Sequence, residues 1–169
     1  MGSNFDYYKN SEEFQKARMV EEFLLWFYRN YGYNVRPATD EEQVKDIDLW
    51  VGGKSFSVKN QQAVLKTGRV CFEEYDKGEE SWFRTGMADY YAICWGKWIN
   101  IYDAKELKER VNLLDSQNKV IRRGLTHKQS QTNSFDRHTR LILVKKEDIF
   151  PLIKERIRYN IKTWCNNLT

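Results

Sequence analysis

Apolar residues near the start of the chain recur with the spacing of an amphipathic helix. Residues 11–31 follow the i, i+3, i+4, i+7 rhythm that places apolar side chains on one helix face. Asn10 or Ser11 can cap the start, and Gly32 tolerates the left-handed backbone that often ends a helix. The pattern predicts a helix whose buried face carries Phe14, Ala17, Val20, Phe23, Leu24, Phe27 and Tyr28.

The segment VKDIDLWVGGKSFSVKNQ alternates in character on both sides of Gly52-Gly53, which predicts a hairpin with a two-residue turn. Such a turn sets the register, so the predicted opposite pairs are Leu49–Phe56, Asp48–Ser57, Ile47–Val58 and Asp46–Lys59. Alternation of side chains then divides the hairpin into two faces. One face carries Asp46, Asp48, Trp50, Ser55, Ser57 and Lys59, and the other carries Ile47, Leu49, Phe56 and Val58.

The remaining patterns predict an α/β fold, with a central mixed β-sheet flanked by helices. A turn at Asp89 precedes a buried strand, and Asp103 can cap a helix that runs to about Leu114. A closing amphipathic helix is predicted from Lys146 to about Asn166. The other predicted elements are strands at 69–75, 88–95, 98–102 and 140–144 and a helical turn at 79–84.

Composition favours one folded unit. The chain has 169 residues, 41% of them hydrophobic and 15% aromatic, which fits a single domain with its own core. The core is expected at about 11–102, followed by a basic loop at 118–140 and a C-terminal strand and helix at 140–166. Cys71, Cys94 and Cys165 show no metal-ligand or disulfide spacing. With no signal-peptide pattern and no long apolar run, we expect a cytoplasmic protein without membrane spans.

Positive charge is concentrated in residues 118–140. The formal net charge is +4, but this segment alone has six basic residues against Asp136. Lysine and arginine bind nucleic acids by displacing counterions from phosphates. The segment is therefore a candidate nucleic-acid contact, with a solvated loop as the alternative interpretation. Its basic residues are Lys119, Arg122, Arg123, Lys128, Arg137 and Arg140.

Asp48 and Lys59 are the candidate chemical centre of the hairpin. Phosphodiester hydrolysis needs a cation that binds the phosphate, an activated water and a positive group that stabilises developing charge. Cross-strand partners lie about 5 Å apart, and the Val58 carbonyl lies between the two side chains. Mg²⁺ prefers such oxygen ligands and retains several waters. Gln61 extends the face of Lys59 and is a candidate to orient a water or contact a phosphate.

These residues resemble the PD-(D/E)XK nuclease superfamily, whose core is a helix, a strand bearing Asp and a strand bearing acid-x-Lys. The phrase DIDLWV places Asp48 at the metal-binding aspartate, and SVK places Lys59 at the motif lysine. Glu21, followed by Gly32-Tyr33, resembles the helical glutamate of the junction-resolvase-like branch, and homing and restriction branches are also similar. The resemblance spans about 12–102 and implies a restriction-endonuclease-like fold with an Mg²⁺ or Mn²⁺ site.

The motif departs from the family in two ways, of which the first is that no proline precedes Asp46 or Asp48. Ser57 stands two residues before Lys59, where the family has an acid. A hydroxyl is a weak ligand for Mg²⁺, so another carboxylate must complete an active site. The candidates are Glu21, Asp46 and, from the next strand, Glu73 or Glu74.

The resemblance implies a metal-dependent endonuclease that acts on double-stranded or branched DNA. Restriction, homing, junction resolution and repair all remain open, and cutting both strands would call for a homodimer or higher oligomer. The alternatives are a nucleic-acid-binding protein that has lost catalysis at Ser57, an RNA nuclease of the same fold, and a protein-interaction domain.

Overall fold

The computed structural model describes residues 12–76, 79–127 and 137–159. Seven helical segments and ten strands follow one another along these residues. In chain order they are α1 (Glu12–Asn30), β1 (Val35–Pro37), α2 (Asp40–Gln43), β2 (Leu49–Val51), β3 (Lys54–Asn60), α3 (Val64–Thr67), β4 (Arg69–Asp76), β5 (Glu79–Glu80), α4 (Trp82–Thr85), β6 (Tyr90–Trp95), β7 (Trp98–Asp103), α5 (Ala104–Ser116), β8 (Ile121–His127), β9 (Arg137–Lys145), α6 (Lys146–Ile149), a 3-10 turn (Phe150–Leu152) and β10 (Ile153–Arg158).

Two sheets organise these elements. The larger has six strands in the order β1-β2-β3-β6-β7-β10, and the smaller has four in the order β5-β4-β9-β8. β3 and β6 pair in parallel, whereas the other pairs of the larger sheet are antiparallel. The predicted α/β fold, a mixed central sheet flanked by helices, is confirmed.

The larger sheet has an apolar core on each face. Helix α1 covers one face, where Phe23 and Leu24 pack with Leu49, Phe56 and Val58 of the hairpin. The second core is formed by other side chains of the same sheet, by helix α5 and by the smaller sheet, and it includes Tyr91, Ile93, Leu107, Val111, Phe72 and Ile142. Burial on both faces explains why β6 is almost continuously apolar.

Several predicted elements are confirmed with close boundaries. Helix α1 ends at Asn30, and Gly32 has the left-handed φ of 82°. The hairpin pairs Leu49 with Phe56, Trp50 with Ser55 and Val51 with Lys54, as predicted. Asp103 caps α5, because its side chain accepts a hydrogen bond from the Glu106 amide at 3.0 Å. Side-chain capping of this kind satisfies a helix amide that has no partner within the helix.

Asp89 has the structural role that its position indicated. One oxygen of its carboxylate accepts hydrogen bonds from the Ser55 amide at 2.9 Å and from the Ser55 hydroxyl at 3.0 Å. These bonds join the start of β3 to the turn that precedes β6. Because the two strands are far apart in sequence, the contact helps to align their parallel pairing.

The predicted closing helix is wrong. Only Lys146–Ile149 is α-helical, and Ile153–Arg158 forms strand β10 at the edge of the larger sheet. The four-residue spacing of Ile153 and Ile157 fits one face of a strand as well as one face of a helix. Antiparallel pairing with β7 satisfies the backbone of this segment, and Pro151 lies in the 3-10 turn between the two elements. Residues 160–166 of the predicted helix lie outside the described residues.

The basic segment is not a continuous loop. Residues 121–127 and 137–140 belong to the paired strands β8 and β9 of the smaller sheet. Lys128 and Asp136 lie outside the described residues, as do Cys165 and the predicted helix caps Asn10 and Ser11. Cys71 and Cys94 are free thiols, and within the described ranges no helix is both long and apolar enough to span a membrane.

Leu107 and Leu113 provide a test of the second core within one helix. Leu107 has no exposed surface, whereas Leu113 is 48% exposed. Leu107→Ala should lower the free energy of unfolding by about 2–5 kcal/mol, because it removes buried methyl groups and leaves a cavity. Leu113→Ala should change it by less than about 0.5 kcal/mol. Urea denaturation measures both, and similar losses for the two variants would contradict the described packing.

Candidate functional site

A gap in the larger sheet lies beside the second half of β3. Strand β3 has seven residues, but its neighbour β2 has three, and the hairpin ladder ends at the Leu49–Phe56 pair. The predicted pairing of Asp48 with Ser57, of Ile47 with Val58 and of Asp46 with Lys59 is therefore wrong as a strand register. The backbone leaves the strand at Asp48, whose amide donates to the Phe56 carbonyl at 2.8 Å.

The Asp48 side chain takes the place of the missing strand partner. Its Oδ2 accepts a hydrogen bond from the Val58 amide at 2.6 Å. Because the amide and the carbonyl of one strand residue point to the same side of the strand, the Val58 carbonyl also faces the gap. The Asp48 carboxylate and the Val58 carbonyl thus lie on the same side of β3.

A short turn that includes helix α2 places Asp46 in the same region. Thr39 and Glu42 form a capping box at α2, and Arg36 binds the Glu42 carboxylate through two hydrogen bonds of 2.7 Å. The Ile47 amide then donates to the Glu42 carbonyl at 3.1 Å. Asp46 has a φ of 60°, in the left-handed region that Asp tolerates better than most residues. This local geometry, rather than strand pairing, sets the direction of the Asp46 side chain.

Asp46 is the ionic partner of Lys59. The Lys59 ammonium donates to Asp46 Oδ1, and the Ser57 hydroxyl donates to Oδ2 at 2.9 Å. The ammonium also lies 4.8 Å from the centroid of the Trp82 ring, within cation–π range. Both oxygens of Asp46 are therefore engaged by protein groups, and the lysine is held at the end of β3.

Glu21 lies on the α1 side of the same cluster. Burial, and next the negative charge of Asp48, raise the pKa of Glu21 from 4.5 to about 7, partly offset by Arg18 and Lys59. Burial likewise raises the pKa of Asp48, and the Lys59 ammonium and the Val58 amide act in the opposite direction. Two neighbouring carboxyl groups in a partly buried place disfavour each other's charge. A bound cation would relieve this repulsion.

Gly86 and Lys108 complete the surroundings of Asp46, and sequence reasoning missed both. A Cβ at position 86 would lie 2.4 Å from the Trp82 carbonyl oxygen and 3.0 Å from Asp46 Oδ2. These atoms leave no room for a side chain at this position. Lys108 Nζ donates to the Gly86 carbonyl at 2.7 Å. Burial lowers the pKa of Lys108, and the charge of Asp46 partly restores it. No spacing in the sequence relates position 108 to position 46, so only the packing of α5 reveals this contact.

Gln61 and Glu73 occupy other environments. The Gln61 amide donates to the Cys71 carbonyl at 2.6 Å and accepts from the Cys71 amide at 2.7 Å. It thereby joins the end of β3 to β4, which is a structural contact between the two sheets. Glu73 accepts a hydrogen bond from the Ser81 hydroxyl.

The alternative acid, Glu74, belongs to an arginine network. It is only 4% exposed, and its carboxylate binds Arg84 and, at 3.1 Å, Arg122. Arg122 also binds Asp115. These contacts connect the smaller sheet to α4 and α5, so Glu74 has a structural role.

The predicted phosphate contacts fall into three groups. Lys119 and Arg123 are exposed, and the guanidinium of Arg140 lies 5.4 Å from the centroid of the Tyr75 ring. Arg122 is committed to the acidic network described above. Lys128 lies outside the described residues, and Arg137 is described in its backbone alone.

The donor set suits a cation that keeps part of its water shell. Among the described residues, no three acidic, histidine or cysteine side chains converge as a group that could hold a metal ion. Glu21, Asp48 and the Val58 carbonyl offer two carboxylates and one carbonyl. Mg²⁺ commonly binds proteins through one or two carboxylates and retains several waters, so these residues fit such an ion.

Comparisons of the chain with protein-family models, with curated proteins and with solved structures find no match. The resemblance to PD-(D/E)XK nucleases therefore stays a prediction from the motif residues.

Glu21 should make the stability of the protein depend on pH. Its pKa of about 7 in the folded chain exceeds the ordinary 4.5, so the folded protein binds more protons between these values and loses stability as the pH rises. Glu21→Gln keeps the shape without the charge. Its stability relative to the wild type should therefore increase by about 1–3 kcal/mol between pH 4.5 and pH 8.

Urea denaturation at several pH values measures this difference. Glu22→Gln is the matched control, because it removes a carboxylate from an exposed position one residue away. An identical pH dependence for the wild type and Glu21→Gln would show that Glu21 is not the buried acid described here.

Proposed function

We propose that this protein is a metal-dependent endonuclease that hydrolyses phosphodiester bonds of DNA. The observation that carries the proposal is that Glu21 on helix α1, Asp48 just before β2 and Lys59 on β3 act on one another electrostatically beside the β3 gap, where Asp48 accepts a hydrogen bond from the Val58 amide. An acid pair next to a lysine is the combination that metal-assisted phosphodiester hydrolysis needs.

Glu21, Asp48 and the Val58 carbonyl would hold Mg²⁺ or Mn²⁺. When bound, the ion would polarise the phosphate and make a bound water lose its proton more readily. Asp48 is held in position for this role by the hydrogen bond that its Oδ2 accepts from the Val58 amide. Glu21 would bind as the carboxylate, so binding should be favoured as the pH rises.

Lys59 would orient the attacking water and stabilise the negative charge that develops on the phosphate. Asp46 and the Trp82 ring restrict the ammonium before substrate binds, and such positioning reduces the entropy lost on reaching the reactive geometry. Ser57 supports this arrangement through its hydrogen bond to Asp46. In this proposal Asp46 and Ser57 are positioning residues, and the acid missing at position 57 is replaced by Glu21.

Exposed basic residues on the smaller sheet and just before β8 would bind the DNA backbone. Lys119, Arg123 and Arg140 are available for phosphate contacts, whereas Arg122 is held by two acids. Lys128 and Arg137 are further candidates from the sequence. One site per chain would cut one strand, so cleavage of both strands would require a symmetric dimer.

The second candidate function is nucleic-acid binding without catalysis. The observation that favours it is the engagement of Asp46 by Lys59 together with Ser57 at the motif acid position. A lysine that stays paired with Asp46 throughout would bind phosphate poorly. Metal-dependent cleavage distinguishes the two candidates, and parallel assays with RNA test the alternative substrate.

A nicking assay with supercoiled and branched DNA tests the endonuclease proposal. Wild-type protein should nick DNA with Mg²⁺ or Mn²⁺ but not with EDTA. Asp48→Asn and Lys59→Met should each lower the rate at least about 100-fold, the size expected when a group that stabilises transition-state charge is lost.

Lys54→Met is the matched control for Lys59→Met. Lys54 lies on the same strand but is exposed at the hairpin turn, so its loss should leave the cleavage rate within about twofold. Metal-independent nicking, or equal rates for Lys54→Met and Lys59→Met, would contradict the proposed site. DNA binding with no cleavage of any tested substrate would support the second candidate function.

A further inference from the structure

A groove of about 280 Å³ lies next to the Asp46 cluster. Residues 86–88 form one wall, and the first three turns of α5 form the other, including Lys105, Lys108, Glu109 and Asn112. The volume of the groove is below the range of about 300–1,000 Å³ that is typical of pockets enclosing whole organic ligands. Its size suits a single phosphate and part of its sugar.

Gly86 and Lys108 connect the groove to the proposed catalytic centre. The position that a Cβ of Gly86 would take is 3.0 Å from Asp46 Oδ2, so the groove and the carboxylate cluster share this thin wall. Lys108 lines the groove, and its charge interacts with Asp46. A strand bound with one phosphate at Lys59 could therefore place a neighbouring phosphate beside Lys108.

The Lys108 ammonium retains donors for an anion. Lysine has three N–H donors, and the Gly86 carbonyl takes one of them at 2.7 Å. The ammonium lies 5.9 Å from the Tyr91 ring centroid, and the side chain is partly buried. Partial removal from water strengthens the attraction to an incoming negative group.

The charge of the groove also favours an anion. Lys105 and Lys108 oppose one acid, Glu109. On the adjoining side, Asn112 Oδ1 accepts a hydrogen bond from Arg84 at 3.4 Å. The two lysines thus provide the groove with hydrogen-bond donors.

We propose that this groove binds a backbone phosphate next to the one that is cut, with Lys108 as its principal contact. This inference rests on the proposed function, because it assumes a nucleic-acid strand that crosses the β3 gap. Lys108 would then act as a substrate-positioning residue, and the groove would set the path of the strand on the side of α5.

The experiment measures binding of fluorescein-labelled 25-base-pair DNA with Ca²⁺ in place of Mg²⁺, at several salt concentrations. Lys108→Met should weaken binding about 5–10-fold and reduce the slope of log affinity against log salt by about 1, as expected for one lost phosphate contact. Lys108→Arg should restore the slope. Lys54→Met removes the same charge outside the groove and should leave the slope unchanged.

Cleavage kinetics with Mg²⁺ provide the second measurement. Lys108→Met should raise KM about 5–10-fold and change kcat by less than about threefold, because the contact is made equally in the ground state and in the transition state. A folded Lys108→Met protein with wild-type slope and KM would overturn the groove proposal. Folding is checked by thermal unfolding, and a variant that fails to fold is replaced by Lys108→Gln.

The two proposals fail in different ways. If the wild type binds DNA with the predicted slope change but cuts no substrate, the groove proposal stands and the nuclease proposal falls. If the wild type cuts DNA and Lys108→Met retains the wild-type slope and KM, the reverse holds. Absence of DNA binding by the wild type would overturn the groove proposal as well.

Discussion

The β3 strand extends past its neighbour β2, and the Val58 amide must find a partner outside the ladder. A buried amide without a hydrogen bond costs free energy comparable to a lost hydrogen bond, and the Asp48 carboxylate supplies the partner at 2.6 Å. The turn that precedes Asp48 positions this carboxylate. Arg36 binds Glu42 within the turn, and Asp46 adopts a left-handed backbone conformation just before the strand begins. The same gap admits Glu21 and holds Lys59, so the arrangement of the site follows from one unequal pair of strands.

The sequence predicted the parts of this arrangement that depend on local rules. Gly52-Gly53 gave the hairpin register near the turn, and Gly32 and Asp103 marked a helix end and a helix start correctly. Farther from the turn the register failed, because the preference of Asp46 for a turn outweighs strand pairing. The hairpin register had placed Asp48 and Lys59 on one face, and the resemblance to the nuclease family had added Glu21; in the structure the charges of Asp48 and Lys59 both act on Glu21.

The errors share one physical origin, which is that a pattern does not reveal which backbone edges need partners. Ile153 and Ile157 fit a helix by spacing, but the free edge of β7 recruits them as a strand. The composition of the basic segment predicted a loop, but part of it forms β8 and the start of β9. These two strands pair with each other, and β9 also pairs with β4 in the smaller sheet. Lys108 and Gly86 were missed for a related reason, since their hydrogen bond depends on how α5 packs beside the segment that contains Gly86.

The charges around the gap explain why a proton at Glu21 matters. Glu21, Asp46 and Asp48 are acids near the gap, and the positive charges of Arg18, Lys59 and Lys108 partly compensate them. Loss of the Glu21 proton adds a negative charge next to Asp48, and burial and this neighbouring charge raise the pKa of Glu21 to about 7. A divalent cation would offset the carboxylate charges and favour an approaching phosphate. The protonation of Glu21 and the binding of a cation are therefore alternative ways to compensate the same buried carboxylates.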